Sequence, residues 1–230
     1  METDIAANVN KIKQRIAVAA ARAGRDPYSI KLMAVTKTVP PERILKAIEA
    51  GITLLGENYV QEAKDKIALI GDSARWHMIG HLQTNKAKYA VKLFDCIHSV
   101  DRLELAQELD RRARPGGSKI NILVEVNVSG EQTKNGVLAL EAMDLIQRLS
   151  HLDNLAVHGL MTMAPYADNP ENSRPYFKAL RNLRNDILRA GIAGIRMEEL
   201  SMGMTDDFEV AIEEGATIVR IGRAIFGKRQ

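Results

Sequence analysis

The sequence predicts an α/β chain folded as a single-domain (β/α)8 TIM barrel with an extra helix at its N-terminus. Three observations predict it. Eight short β-branched or apolar runs punctuate the 230 residues, and seven of them are followed by a helical stretch that leads to the next. Strand and helix alternating in this way place parallel strands beside crossover helices. About 200 residues is the lower end for eight such units. An open doubly wound sheet is the competing arrangement. Against it, the turn after the first run (Thr36-Lys37-Thr38-Val39-Pro40-Pro41) has no Gly-x-Gly-x-x-Gly loop.

The elements follow in order. Ile5, Val9, Ile12, Ile16 and Ala20 repeat at intervals of three and four, which predicts an amphipathic helix stopped by Gly24 and Pro27. Residues 1–24 are therefore expected to pack on the barrel, and 1–230 to form one domain. The strand runs are 31–36, 53–56, 75–79, 96–100, 120–128, 156–163, 196–201 and 217–221. Between them, Ile44, Leu45 and Ile48 mark a helix closed by Gly51, and Phe177, Leu180, Leu183 and Ile187 mark another closed by Gly191. Asn58-x-x-Gln61 and Asp101-x-x-Glu104 read as capping boxes.

Composition limits the functions available. The chain is 46% hydrophobic and 27% charged, as a globular protein is, and carries a net charge of +3. That balance, with 4% aromatic residues, offers no basic surface or stacking platforms for nucleic acid. No apolar run approaches the roughly 18 residues of a membrane span. One cysteine, Cys96, permits no internal disulfide and suits a reducing compartment, and Met1-Glu2-Thr3-Asp4 has no secretory n-region. A cytoplasmic location is expected.

In a barrel the chemistry gathers where the strands end. The first run carries Lys37 straight out of an apolar core, where an amine can be desolvated for Schiff-base chemistry or serve as a charge for phosphate. Asn58, after the second run, fits a ligand contact as well as a cap. After the seventh run, Ser201 offers a hydroxyl and Gly203 lets the backbone approach an anion; after the eighth, Gly222 does the same. The acid-free turn from Arg223 is the better anion seat, because Asp206 and Asp207 follow Thr205. Arg220, inside an apolar run, must pair with a carboxylate such as Glu125 or Glu199, or face a ligand. His77 and His81 lie on strand and turn without a third ligand in pattern, so no metal site is expected, and Cys96 reads as core.

At these segments the chain closely resembles the pyridoxal 5′-phosphate homeostasis protein family, relatives of the alanine racemase barrel. The markers are Ala34-Val35-Thr36-Lys37, Leu55-Gly56-Glu57-Asn58, His77-Met78-Ile79-Gly80-His81-Leu82-Gln83-Thr84-Asn85-Lys86, Val126-Asn127-Val128-Ser129-Gly130-Glu131, Gly159-Leu160-Met161-Thr162-Met163, Ser201-Met202-Gly203-Met204 and Val219-Arg220-Ile221-Gly222-Arg223-Ala224-Ile225-Phe226-Gly227. His81 departs from the proline many relatives carry. The resemblance implies that Lys37 holds pyridoxal phosphate as an internal aldimine. It implies that Ser201, Met202, Gly203, Gly222 and the Arg223 backbone surround the phosphate, with Arg220 facing the pyridine nitrogen and Asn58 beside the ring.

A guanidinium at that nitrogen disfavours its protonation and weakens carbanion stabilisation. Alanine racemases also take a second acid–base tyrosine from a further domain, for which Tyr59 and Tyr166 are the substitutes within this chain. The expected role is therefore a monomeric, non-catalytic carrier that buffers pyridoxal phosphate and delivers it to apo-enzymes. The alternative is a pyridoxal-phosphate-dependent amino-acid racemase or lyase with an unrecognised second base. Lys134, after the fifth run, is a second amine through which handover is conceivable.

Overall fold

A computed structural model describes residues 3–113 and 117–227. The ends of the expected 1–230 unit, residues 1–2 and 228–230, lie outside the described residues, as do 114–116. The barrel strands are β1 (Lys31–Val35), β2 (Leu54–Glu57), β3 (Arg75–Met78), β4 (Cys96–Val100), β5 (Ile120–Asn127), β7 (Leu155–Met161), β8 (Glu199–Ser201) and β9 (Ile218–Ile221). They pair in parallel in the order β4-β3-β2-β1-β9-β8-β7-β5, and pairing of β4 with β5 closes the ring. The result is a closed eight-stranded (β/α)8 barrel.

Two residues, β6 (Val137–Leu138), pair with Val126 and Asn127 of β5 as a short flap that the sequence did not announce. The expected run 196–201 is regular only from Glu199. Arg196 N–H still bonds the Val157 carbonyl, but no ladder continues from it.

The helices fall where periodicity placed them. α1 (Ile5–Arg22) buries Ile5, Val9, Ile12 and Ile16, and Asp4 accepts the Ala7 N–H at 2.9 Å as its cap. It packs on α2 (Pro41–Glu49), α8 (Phe208–Glu213) and α9 (Arg223–Phe226), the helices flanking β1 and β9. α3 (Val60–Ile70), α4 (Ala87–Leu93), α5 (Leu103–Arg112), α6 (Ala142–Leu149) and α7 (Arg174–Ala190) complete the outer ring, and Gly191 ends α7 in the left-handed region.

Both capping boxes are absent. α3 is preceded by Tyr59 and α5 by Arg102, neither giving a side-chain cap, because the chain leaves β2 and β4 one residue later than the boxes require. Asp101 instead accepts a bond from Arg102 at 2.6 Å. Among the described residues no helix is long and apolar enough to cross a membrane.

The period-two alternation of the strands divides the core. Outward residues such as Trp76, Met78, Ile97, Val124 and Val219 pack under the helices. Inward, Met33, Leu54 and Ile218 form one apolar plug, and Cys96, Leu123 and Met161 another. Two residues further along the same strands the interior turns polar, with His98 after Cys96, Glu125 after Leu123, and Arg220 after Ile218. The change from plug to polar layer sets the depth of the site.

Candidate functional site

Above the polar layer, at the C-terminal ends of the strands, lies a cavity of about 910 Å3. Its wall includes Lys37, Thr38, Arg43, Thr205, Asp206, Arg220, Gly222 and Arg223. Of the eight residues expected at the site, Lys37, Arg220, Gly222 and Arg223 line it. Asn58, Ser201, Met202 and Gly203 stand behind the wall.

Lys37 sits on the turn that follows β1. The Val39 N–H bonds the Thr36 carbonyl at 2.9 Å, so Lys37 and Thr38 are the two central residues of a β-turn. Thr38 takes φ +62°, the only left-handed residue other than glycine among those described. A type II turn favours glycine at that position, and a β-branched residue there is strained.

Arg220 forms the floor. It is 4% exposed and donates through Nη1 to Ser201 Oγ at 2.7 Å and through Nη2 to the Thr162 carbonyl at 2.8 Å. Glu199, one expected partner, is instead bonded to Lys31 and Thr217. Glu125, the other, helps electrostatically without a direct bond. Burial pulls the guanidinium down and Glu125, then Asp207, opposes this. The same burial raises the Glu125 carboxyl to about 7; Asp101 adds to the rise and Arg220 restrains it.

Ser201 has no hydroxyl to spare. Its oxygen accepts from Arg220, so its proton goes to His98 Nδ1 at 3.1 Å. Burial, then the His77, Arg220 and Lys31 neighbours, holds His98 well below the ordinary imidazole range, so it is neutral. Its Nε2–H then donates to His77 Nδ1 at 2.8 Å. The chain Arg220→Ser201→His98→His77 runs one way through the polar layer. Ser201 thus supports Arg220 from behind, and on this loop it is Thr205, a residue the sequence did not single out, whose hydroxyl group lies at the cavity. The signal was there: in a Ser-Met-Gly-Met-Thr loop the residue four positions beyond the strand end clears the barrel rim.

The loops after β8 and β9 are tied together. Arg223 is paired with Asp206, so that acid does not face the cavity uncompensated. Asp207 turns inward and accepts the Met204 N–H at 2.7 Å. Met202 is fully buried in the outer core, and Gly203, at φ +90°, presses against α8, where a Cβ would stand 2.5 Å from that of Ala211. The first N–H groups of the turn from Arg223 have no partners within it, and they border the cavity beside Gly222.

Asn58 caps nothing. Its Oδ1 is buried without a hydrogen-bond partner, which is what a donor on a bound molecule would satisfy. Lys134 Nζ lies 3.5 Å from Glu131 Oε1, and the residue does not line the cavity. Tyr59 and Tyr166 are 61% and 82% exposed and likewise stay off its wall.

Where the polar layer meets the plug, His77, His98 and Cys96 bring ligand atoms within 4.8 Å of one another, a grouping the sequence did not suggest because its members come from two strands. The charges of Lys31 and Arg75, after burial, hold His77 down at about 3. Burial holds the Cys96 thiol far above its ordinary value.

The family model for the alanine racemase N-terminal domain matches residues 7–230. The pyridoxal phosphate homeostasis protein of Aquifex aeolicus is 46% identical over 223 residues, covering 96% of this chain and 97% of that one. A crystal structure of an unknown protein from Bifidobacterium adolescentis superposes with a TM-score of 0.92 at 38% identity, covering 97% of this chain and 94% of that chain. PipY of Synechococcus elongatus, in a structure with PLP bound, superposes with a TM-score of 0.80 at 35% identity, covering 94% of this chain and all 100% of that one.

Proposed function

Because the chain belongs to the alanine racemase N-terminal domain family, among its pyridoxal phosphate homeostasis proteins, we propose that it binds pyridoxal 5′-phosphate in this cavity and delivers it to apo-enzymes. The observation that carries the reading is the convergence, in one cavity, of a strand-end lysine, a buried guanidinium and a glycine-bearing turn with N–H groups to offer. The donor set fits the group. The group would supply an aldehyde able to form a reversible imine with a primary amine, releasing one water.

Lys37 would supply that amine. The backbone around Gly222 and Arg223 and the Thr205 hydroxyl would hold the phosphate. Arg220, its orientation fixed by Ser201 and Thr162, would face the ring nitrogen. As a donor it would present N–H there and disfavour protonation, which would withhold the electron sink that transamination and lyase chemistry need.

The role is that of a carrier without turnover, acting as a monomer in the cytoplasm. Its support is that Tyr59 and Tyr166, the tyrosines proposed to stand in for a second base, do not line the cavity. Protein loaded with one equivalent of pyridoxal phosphate should reactivate an apo-aminotransferase in proportion to its load, and should leave L- and D-alanine unchanged. Sustained racemisation or cleavage that disappears in Lys37→Ala would establish an enzyme instead.

A further inference from the structure

Behind the turn that carries Lys37 lies an ion cluster that no step above uses. Lys66, on α3, is 7% exposed and donates to Glu57 Oε1 at 2.7 Å, to Glu62 Oε1 at 2.6 Å and to the Thr36 carbonyl at 2.6 Å. Glu57, at the end of β2, is fully buried and also accepts from Thr36 Oγ1 at 2.7 Å. Glu62, one turn before Lys66, accepts the backbone N–H of Thr38. The cluster therefore grips the carbonyl before Lys37 and the amide after it, one on each side of its Cα.

Two of these charges, Glu57 and Lys66, are withdrawn from water and Glu62 is partly so, and a buried ion pair seldom stabilises a fold more than apolar residues of the same volume. What such a cluster supplies is fixed geometry. The geometry it fixes is costly: Thr38 is held at φ +62°, a conformation strained for a β-branched residue.

We infer that Glu57, Glu62 and Lys66 form a positioning clamp that aims the Lys37 side chain into the cavity, so that covalent attachment of pyridoxal phosphate depends on them although none need touch it. The inference rests on the reading of Lys37 given above. With both flanking peptide groups pinned, the Cα–Cβ direction of Lys37 is set before any ligand arrives. A released turn lets Thr38 relax toward negative φ and swings the lysine off the wall.

The test separates aiming from binding and from folding. Pyridoxine 5′-phosphate, with an alcohol in place of the aldehyde, reports the cavity alone; pyridoxal phosphate followed by borohydride and peptide mapping reports attachment at Lys37. Glu62→Ala should bind the alcohol within threefold of the unaltered protein and lower the equilibrium constant for attachment at least tenfold. Glu62→Gln keeps an acceptor oxygen for Thr38 and should restore attachment to within threefold. If Glu62→Ala does not fold, the charge-neutral pair Glu57→Gln with Lys66→Met should show the same selective loss. Equal loss of both ligands, or attachment unchanged in the clamp variants, would overturn the clamp while leaving Lys37 as the attachment point. Unaltered protein that fails to attach pyridoxal phosphate at Lys37 would overturn the clamp together with the reading beneath it.

Discussion

Ser201 and Thr205 show how much one residue's surroundings decide. Both carry hydroxyls in the loop after β8, but Ser201 is fully buried with both its proton and its oxygen engaged, whereas Thr205 borders the cavity. Removing a partner from a buried guanidinium costs about 1.5–3 kcal/mol. Ser201→Ala should therefore lower the unfolding free energy by about 2 kcal/mol in a urea titration. Thr205→Ala should leave stability within about 0.5 kcal/mol and weaken pyridoxal phosphate binding roughly tenfold, the loss of one hydrogen bond to a charged group. The reverse assignment would return the phosphate to Ser201. Sequence pointed to this loop but not to which of its hydroxyls lines the cavity, because a three-residue strand gives no register from which to tell an inward side chain from one on the rim.

At the scale of elements, apolar rhythm was the readable signal. Val9, Ile12 and Ile16 announced α1, and the alternation in β4 put Ile97 under the helices and His98 inside. Side-chain capping was not readable in this way. Asn58 and Asp101 have capping chemistry, but where α3 and α5 begin is set by how the strand ends reach the helical layer. The flap β6 escaped notice because two residues carry no period. Gly159 makes a sharper case. A Cβ there would lie 1.9 Å from the Glu199 carbonyl oxygen on the neighbouring strand, so β7 and β8 approach as closely as they do only because this residue has no side chain. Gly159→Ala should cost about 3 kcal/mol or more, read as a fall in the urea midpoint, with Arg220 binding chemistry impaired as the Ser201 strand shifts. An unchanged midpoint would mean that the barrel wall yields freely at this joint.

For the molecule as a whole, the eight-fold alternation and the position of Lys37 were legible from the chain, and the polar layer was not. His77, His98, Ser201 and Arg220 come from β3, β4, β8 and β9, and only closure of the barrel brings them together. That layer leaves a mark on stability. Glu125 titrates near 7 in the folded barrel and near its ordinary value of about 4.3 in the unfolded chain. The folded state then holds the proton more tightly. The advantage is full below about pH 4.3 and is lost as pH rises to 7, a swing of about 3 kcal/mol. His77, held at about 3, acts in the opposite sense below pH 6.5, so the Glu125 contribution is read from the difference between proteins. Relative to the unaltered protein, Glu125→Gln should gain stability steadily from pH 4.5 to pH 7; parallel curves would show that Glu125 is ionised in the folded state.

The central claim is that Lys37, among all the amines of this chain, is the one to which pyridoxal phosphate attaches. The most direct measurement is the visible spectrum of the purified protein with added pyridoxal phosphate, before and after borohydride, followed by peptide mass mapping. The account predicts an imine absorption band that borohydride abolishes, and a single reduced phosphopyridoxyl group on Lys37. Adducts scattered over surface lysines, or none, would contradict it.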